Sequence, residues 1–354
     1  MLGTAEYIWI DGNEPPRLRS KIRVIEYDMA TDPDQNFRFC RVEMPKWNFD
    51  GSSTNQAEGD DSDVTLVPVK TVQWPHNSGH WLVLCECYHS GKPAKGNHRA
   101  ALRELLESGV QEKHEPWIGF EQEYVIYDLE TGRPLGFPSQ PHSFPAPQGP
   151  YYCGVDGDVA HGRSLSDEHF YNCLEAGLMV YGTNAEVMPG QWEFQMGYRR
   201  EGDSPDPLKM SDELWLARYM LFKVAEASGK YISLDCKPMH GDWNGSGCHT
   251  NFSTKAMRGE GGLDEIWGSI DRLRKTHNQH IAVYGDGLED RLTGQHETCD
   301  IEQFKSGVAD RTASIRVPKS VYDAGFGYLE DRRPGANMDP YQVSQRLLTT
   351  ICTE

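Results

Sequence analysis

The chain has 354 residues, with 35 Lys+Arg against 53 Asp+Glu and a formal net charge of −18. That length excludes a peptide and allows one large domain or two ordinary ones, and the acidic balance disfavours nucleic acid and anionic membrane surfaces as partners. At 38% hydrophobic and 10% aromatic residues, the chain is apolar enough for a packed core and does not read as a disordered acidic protein.

In chain order, residues 6–10, 21–28, 38–43 and 81–88 are β-rich or alternating, separated by turn clusters such as Asn13-Glu14-Pro15-Pro16, and predict a small N-terminal sheet. The polar, Gly- and Pro-rich run His89–Asn97 marks a boundary, giving domains over 1–92 and 93–354. Helical spacing begins near 99–108. Strands are then expected over Trp117–Tyr127, Asn184–Gln195, Tyr231–Pro238, Gly247–Ser253 and Ala313–Pro318, and helices over 167–180, 212–228, 263–283 and 340–352: an α+β fold. Ser211 before Asp212 and Glu213 reads as a helix start with Gly229 as its stop, and Asp339 reads as the N-cap before Pro340. The Pro- and Gly-rich stretch 132–154 reads as a long functional loop.

Nine cysteines form no C-x-x-C pair, and an odd number cannot close into an all-disulfide framework, so reduced thiols in the cytoplasm are expected. The first residues lack the pattern of a secretory signal, and no run of 18 apolar residues occurs.

The carboxylates carry the chemistry. Alternation along Trp117–Tyr127 puts Glu121 and Glu123 on one strand face, about 7 Å apart. Taken alone, a solvated face explains that pair as well as a site does. In Asn184–Gln195, Pro189-Gly190 between two β-capable runs predicts a hairpin, and a symmetric turn there sets Glu186 opposite Glu193. Such a like-charge pair asks for a compensating cation, and two acidic pairs on neighbouring strands point to a divalent-metal cage of the Mg²⁺ or Mn²⁺ type. Alternation also aligns His249, Asn251 and Ser253 on a strand entered through glycines. Arg291, Arg311, Arg316, Arg332 and Arg333 concentrate near the end, either as surface ion pairs or as the cations of phosphoryl transfer. The chain contains neither a P-loop, nor a strand-borne G-x-G-x-x-G, nor H-E-x-x-H.

Several long motifs, taken together, resemble those of type II glutamine synthetases over essentially the whole chain. They include Trp47-Asn-Phe-Asp-Gly-Ser-Ser-Thr54, Gly119-Phe-Glu-Gln-Glu-Tyr124, Gly149-Pro-Tyr-Tyr-Cys-Gly154 and Asn184–Gln195. Lys237–Thr254, Arg291-Leu-Thr-Gly-Gln-His-Glu-Thr298, Arg311–Pro318 and Gly327-Tyr-Leu-Glu-Asp-Arg-Arg-Pro334 complete the match.

The resemblance implies ATP-dependent ligation of ammonium to glutamate through γ-glutamyl phosphate. It implies an N-terminal β-grasp-like domain followed by a catalytic domain built on a curved antiparallel sheet with flanking helices. By the same resemblance, Glu123, Glu186 and Glu193 would hold one metal and Glu121, His249 and Glu330 a second, with two or three Mg²⁺ or Mn²⁺ per site. Asn244, Gly245 and Arg291 would bind glutamate; Arg311, Arg316 and Arg332 would act on phosphates or the acyl phosphate. Trp117, Asn251 and Ser253 would line the nucleotide site, and Glu297 would ride a closing flap. Asp50, assisted by Asp63, would receive ammonium's proton from a neighbouring subunit, in a homodecamer of two pentameric rings. Leu288, Asp290 and Asp310 depart from the pattern of many eukaryotic members without removing any of these residues.

Overall fold

The computed structural model describes residues 1–31, 38–75, 77–140 and 143–353, so residues 32–37, which include the turn cluster Asp32-Pro33-Asp34, lie outside the description. The chain divides into two compact units, Met1–Ala101 with Glu175–Gly177 and Leu102–Leu174 with Leu178–Glu354, where the sequence places its boundary at 92/93.

The N-terminal unit is a sheet of β1 (Leu2–Ile10), β2 (Leu18–Thr31), β3 (Arg38–Val42), β4 (Trp47–Asp50), β5 (Asp63–Gln73), β6 (His80–His89) and the short β7 (Lys92–Pro93). Its order is β3-β2-β1-β6-β5-β4, with β7 on β6. β1 and β6 run parallel at the centre. Period-two alternation builds the core: Ala5, Tyr7 and Trp9 from β1 meet Trp81, Val83 and Cys85 from β6. The sequence reading missed β5 because Pro68 stands in its middle. Pro68 is tolerated there because the β5–β6 register shifts between Pro68 and Lys70, the irregularity at which a strand accepts a residue without an N–H.

The second unit is a strongly curled sheet with flanking helices, an α+β arrangement. Its strands are β8 (Trp117–Asp128), β9 (Arg133–Pro134), β10 (Val180–Ala185), β11 (Gln191–Met196), β12 (Lys230–Ser233), β13 (Cys248–Ser253), β14 (Ser306–Val308), β15 (Ile315–Val317) and β16 (Leu329–Asp331). The order is β10-β11-β8-β13-β16-β15-β14, with β9 and β12 also on β8; among the described residues of this sheet only the β14–β15 pair is parallel.

β8 turns Phe120, Gln122 and Tyr124 into the core, toward the helix Pro207–Ala227. The buried Arg218 of that helix donates to Gln122 Oε1 at 2.8 Å and to the Met338 and Ala336 carbonyls. This fixes the back of β8 and leaves its odd-numbered face to the site.

The helix starts five residues earlier than the sequence reading has it. Asp206 is the cap, accepting from Lys209 N, and Pro207 opens the first turn. Ser211 instead donates to the Pro207 carbonyl at 2.7 Å inside the core. Asp339 caps its helix as expected, accepting from Tyr341 N at 2.9 Å. The expected 263–283 helix breaks at Thr276 into Gly262–Lys275 and His277–Ile281, and the strand expected over 231–238 spans only Lys230–Ser233.

Candidate active site

Strand register assembles the site. Glu121 on β8 lies opposite His249 on β13 and Gln195 on β11, and Glu123 lies opposite Glu193. Across the next strands Asn251 faces Glu330, which in turn faces Arg316. One face of four neighbouring strands, β11, β8, β13 and β16, thus carries these acids and the histidine, with Arg316 next to them on β15.

The hairpin register differs from the expected one. Glu193 pairs with Asn184 and Trp192 with Ala185, so Glu186 is not opposite Glu193. The Pro-Gly step forms a turn closed by Gln191 N donating to Met188 O at 3.1 Å, with Gly190 at φ 74°. Pro followed by a positive-φ glycine is the type II combination, which does not continue a symmetric ladder. Two extra residues spill into the loop, and Glu186 sits just beyond the strand. The like-charge pair in register is Glu193 with Glu123.

The carboxylates, His249 and Arg291, Arg311, Arg316 and Arg332 line a cavity of about 380 Å³, with Asn244, Gly245 and Glu297 on its wall; Arg333 is instead buried in an ion pair with Asp331 at 2.7 Å. The ligand atoms of Glu121, His249 and Glu330 all lie within 4.8 Å of one another, as do those of Glu123, Glu193 and His249. Glu186 belongs to neither tight group; it is held in the same cavity by Asn184 Nδ2 at 3.0 Å. Oxygen-rich sets with one imidazole fit a hard divalent ion such as Mg²⁺ or Mn²⁺.

The electrostatics agree with that fit. Burial, then the charge of Glu123, pushes the Glu186 carboxyl up to about 8; burial, then Glu121 and Glu123, raises Glu193 well above the usual range. Burial also raises Glu123, against the pull of Arg291. His249 is lowered by burial and by Arg332, which keeps its imidazole neutral with a lone pair available. These acids are packed too closely to remain ionised without added positive charge.

Arginines close the opposite side. Arg316 and Arg332 each donate to Glu330 at 2.6 Å, and the Nε atoms of both are buried with no partner among the described residues. Arg291 donates to the Arg332 and Arg333 carbonyls and approaches His249 Nε2 at 3.2 Å. Arg311 pairs with Glu297 at 3.0 Å. Gln148 ties Asn244 to this wall, donating to its Oδ1 at 2.7 Å and accepting from its backbone N–H.

A second cavity of about 410 Å³ adjoins along β8 and β13, lined by Trp117, Tyr198, Tyr328, Asn251 and Ser253 among others. Trp117 stacks on Tyr198 at 5.1 Å, and the Arg258 guanidinium lies 3.9 Å from the Trp117 ring centre. Asn251 joins the two cavities by donating to Glu121 Oε1 at 2.8 Å.

Asp50 and Asp63 belong to the N-terminal unit, where they face each other across β4 and β5. The Ser52 hydroxyl and backbone N–H hold the Asp50 carboxyl below its usual range. Leu288 is buried, and Asp310 pairs with Lys305 at 2.7 Å; neither lines the acidic cavity.

Sequence reasoning missed Asn184 and Gln195, although both alternate in phase with Glu186 and Glu193. It also missed Arg258, Tyr198 and Gln148, which stand outside the regular strands and carry no periodic signal.

Residues 95–282 match the family described as glutamine synthetase, catalytic domain. A glutamine synthetase of Colletotrichum gloeosporioides is 49% identical over 349 residues, covering 98% of this chain and 91% of that protein. A chloroplastic glutamine synthetase of Chlamydomonas reinhardtii is 48% identical, covering 98% and 90%. The glutamine synthetase cytosolic isozyme 1-4 of Arabidopsis thaliana is 48% identical, covering 97% and 92%. Among solved structures, apo GmaS without ligand superposes with a TM-score of 0.72 over 98% of this chain and 76% of that one, at 19% identity, a likeness of fold.

Proposed function

The chain belongs to the glutamine synthetase family and is a glutamate–ammonia ligase, and from that premise we propose how its residues divide the work. The family uses ATP and a divalent metal. Trp117, Asn251 and Ser253 take the base and ribose of ATP, and the phosphates extend into the acidic cavity. Glu121, His249 and Glu330 would hold one Mg²⁺ or Mn²⁺, and Glu123, Glu193 and Glu186 another, with two or three ions per site. Bound there, such ions supply positive charge against the phosphate oxygens during transfer.

Arg291, Asn244 and Gly245 hold glutamate with its γ-carboxylate toward the terminal phosphoryl group. A carboxylate oxygen forms a bond to that phosphorus as the bond to ADP breaks, which yields γ-glutamyl phosphate. Arg311, Arg316 and Arg332 neutralise the charge of the transferring group; the unpartnered Nε atoms of Arg316 and Arg332 support this. Glu297, paired with Arg311, closes over the acyl phosphate and keeps water out. Ammonia forms the C–N bond at the side-chain carboxyl carbon as that carbon's C–O bond to phosphate breaks, and the surplus proton on nitrogen leaves with the departing phosphate.

Ammonium must first lose a proton. We assign its capture to Asp50, with Asp63 assisting, presented by a neighbouring subunit within a decamer of two pentameric rings. The support is chemical: two facing carboxylates, one held ionised by Ser52, attract a small cation and offer oxygens to its N–H groups. We place the enzyme in the cytoplasm, a reading supported by the cytosolic isozyme among its relatives.

The observation that carries the metal assignment is the register of Glu123 with Glu193 beside Glu121 with His249. Phosphate release from ATP in the presence of Mg²⁺ tests the whole. It should need both glutamate and ammonium; release independent of glutamate would contradict the reading.

A further inference from the structure

Tyr181 has no part in the scheme above, yet its position has a specific structural cause. On β10, Asn184 and Gly182 share the catalytic face, since Asn184 lies opposite Glu193 and Gly182 opposite Gln195. Strict alternation would turn Tyr181 to the other face. The register slips between Val180 and Gly182, because Val180 pairs with Met196 while Gly182 pairs with Gln195. Two residues of β10 advance against one of β11, a bulge, and bulges beside sites re-aim a side chain.

Tyr181 consequently lies over the glycine floor of the aromatic cavity. A Cβ built on Gly197 would come 3.6 Å from Tyr181 Cε1, and one built on Gly182 would strike the Gln195 side chain. Gly119 and Gly197 also approach each other backbone to backbone: a Cβ on Gly197 would lie 3.2 Å from Gly119 Cα. Side chains are thereby excluded from the floor, and space is left between aromatic walls. Tyr181, Tyr198, Phe326 and Tyr328 line this cavity while 38–49% exposed, an arrangement that suits a flat ligand. Asn251 lines the same cavity and donates to Glu121 of the acidic one at 2.8 Å, so a ligand lying between these aromatic walls can reach on to the carboxylates.

We propose that Tyr181 is a nucleotide-binding residue, its ring a wall of the base cavity and its hydroxyl a donor to the ribose–phosphate stretch where ATP crosses between the cavities. This rests on the ATP reading above and adds a contact that none of the assigned residues supplies. A hydroxyl donating to a charged or polar oxygen governs affinity modestly, and the ring wall more so.

The test compares Tyr181→Phe and Tyr181→Ala with the unmodified enzyme, by calorimetric titration with Mg·ADP and by steady-state kinetics. The Phe variant should bind ADP about 5-fold more weakly and the Ala variant about 20-fold, with KM for ATP rising in parallel. KM for glutamate and the nucleotide-free melting temperature should stay unchanged. Wild-type ADP affinity in both variants would overturn the proposal. Equal losses toward glutamate together with a lowered melting temperature would overturn it too, by showing a structural role. Failure of the unmodified enzyme to bind ADP would instead strike the ATP reading on which it rests.

Discussion

Glu193 on β11 lies directly opposite Glu123 on β8, and both carboxyls are raised by burial. Like charges in cross-strand register are destabilising by roughly 0.2–1 kcal/mol, so the fold keeps this pair against its own stability. Glu193→Gln should therefore raise the melting temperature of metal-free protein by about 1–3 °C, while ligase turnover falls about 100-fold or more. Parallel thermal melts in chelator and phosphate-release assays check both halves.

Protons follow the same logic. Without a divalent ion, Glu186 titrates at about 8 rather than 4.5 in the folded chain, so the folded state binds more protons than the unfolded chain between those values. Stability from this group is full below pH 4.5 and is lost as pH rises through about 8. Melts in chelator should decline across that window, and saturating Mg²⁺ should flatten the decline. Cation binding at pH 7 should release protons, read from calorimetry in buffers of different ionisation enthalpy, with less release as pH passes 8.

Glu297 and His296 are consecutive non-glycine residues at positive φ, 61° and 51°, conformations that cost of order 1–3 kcal/mol each and mark functional segments. If Glu297 seals the acyl phosphate, Glu297→Ala should lower glutamine formation about 10-fold. The ratio of phosphate released to glutamine formed should rise above one as water intercepts the intermediate. A preserved one-to-one ratio would contradict the flap role.

Asp50 is assigned to ammonium alone. Asp50→Asn should raise KM for ammonium about 10-fold or more with KM for ATP unchanged, and methylamine should remain a poor competitor in the unmodified enzyme. Preference for an amine over ammonium would move the substrate assignment.

Much of the site was legible because β alternation is strict. Glu121 with Glu123, and His249 with Asn251, could be placed on faces from spacing alone, and the structure brings the two faces together through the β8–β13 register. Register itself was less legible. A two-residue difference in loop length at Met188-Pro189-Gly190-Gln191 decides whether Glu186 or Asn184 faces Glu193, and the type II geometry of Gly190 goes with Asn184. The bulge at Tyr181 leaves no pattern in sequence, since it depends on how β10 seats against β11. In the fold, Asp339 announced its helix through cap and proline. Asp206 before Pro207 carries the same signal, and Ser211, five residues on, is claimed by the core for a contact with Ser344 at 3.2 Å.

The central claim is that the two acid groups hold divalent ions against the nucleotide's phosphates, and anomalous diffraction from crystals grown with Mn²⁺ and ADP tests it most directly. The account predicts Mn²⁺ peaks bounded by Glu121, His249 and Glu330 and by Glu123 and Glu193, each also touching phosphate oxygen. ADP bound with no manganese among these carboxylates would contradict it.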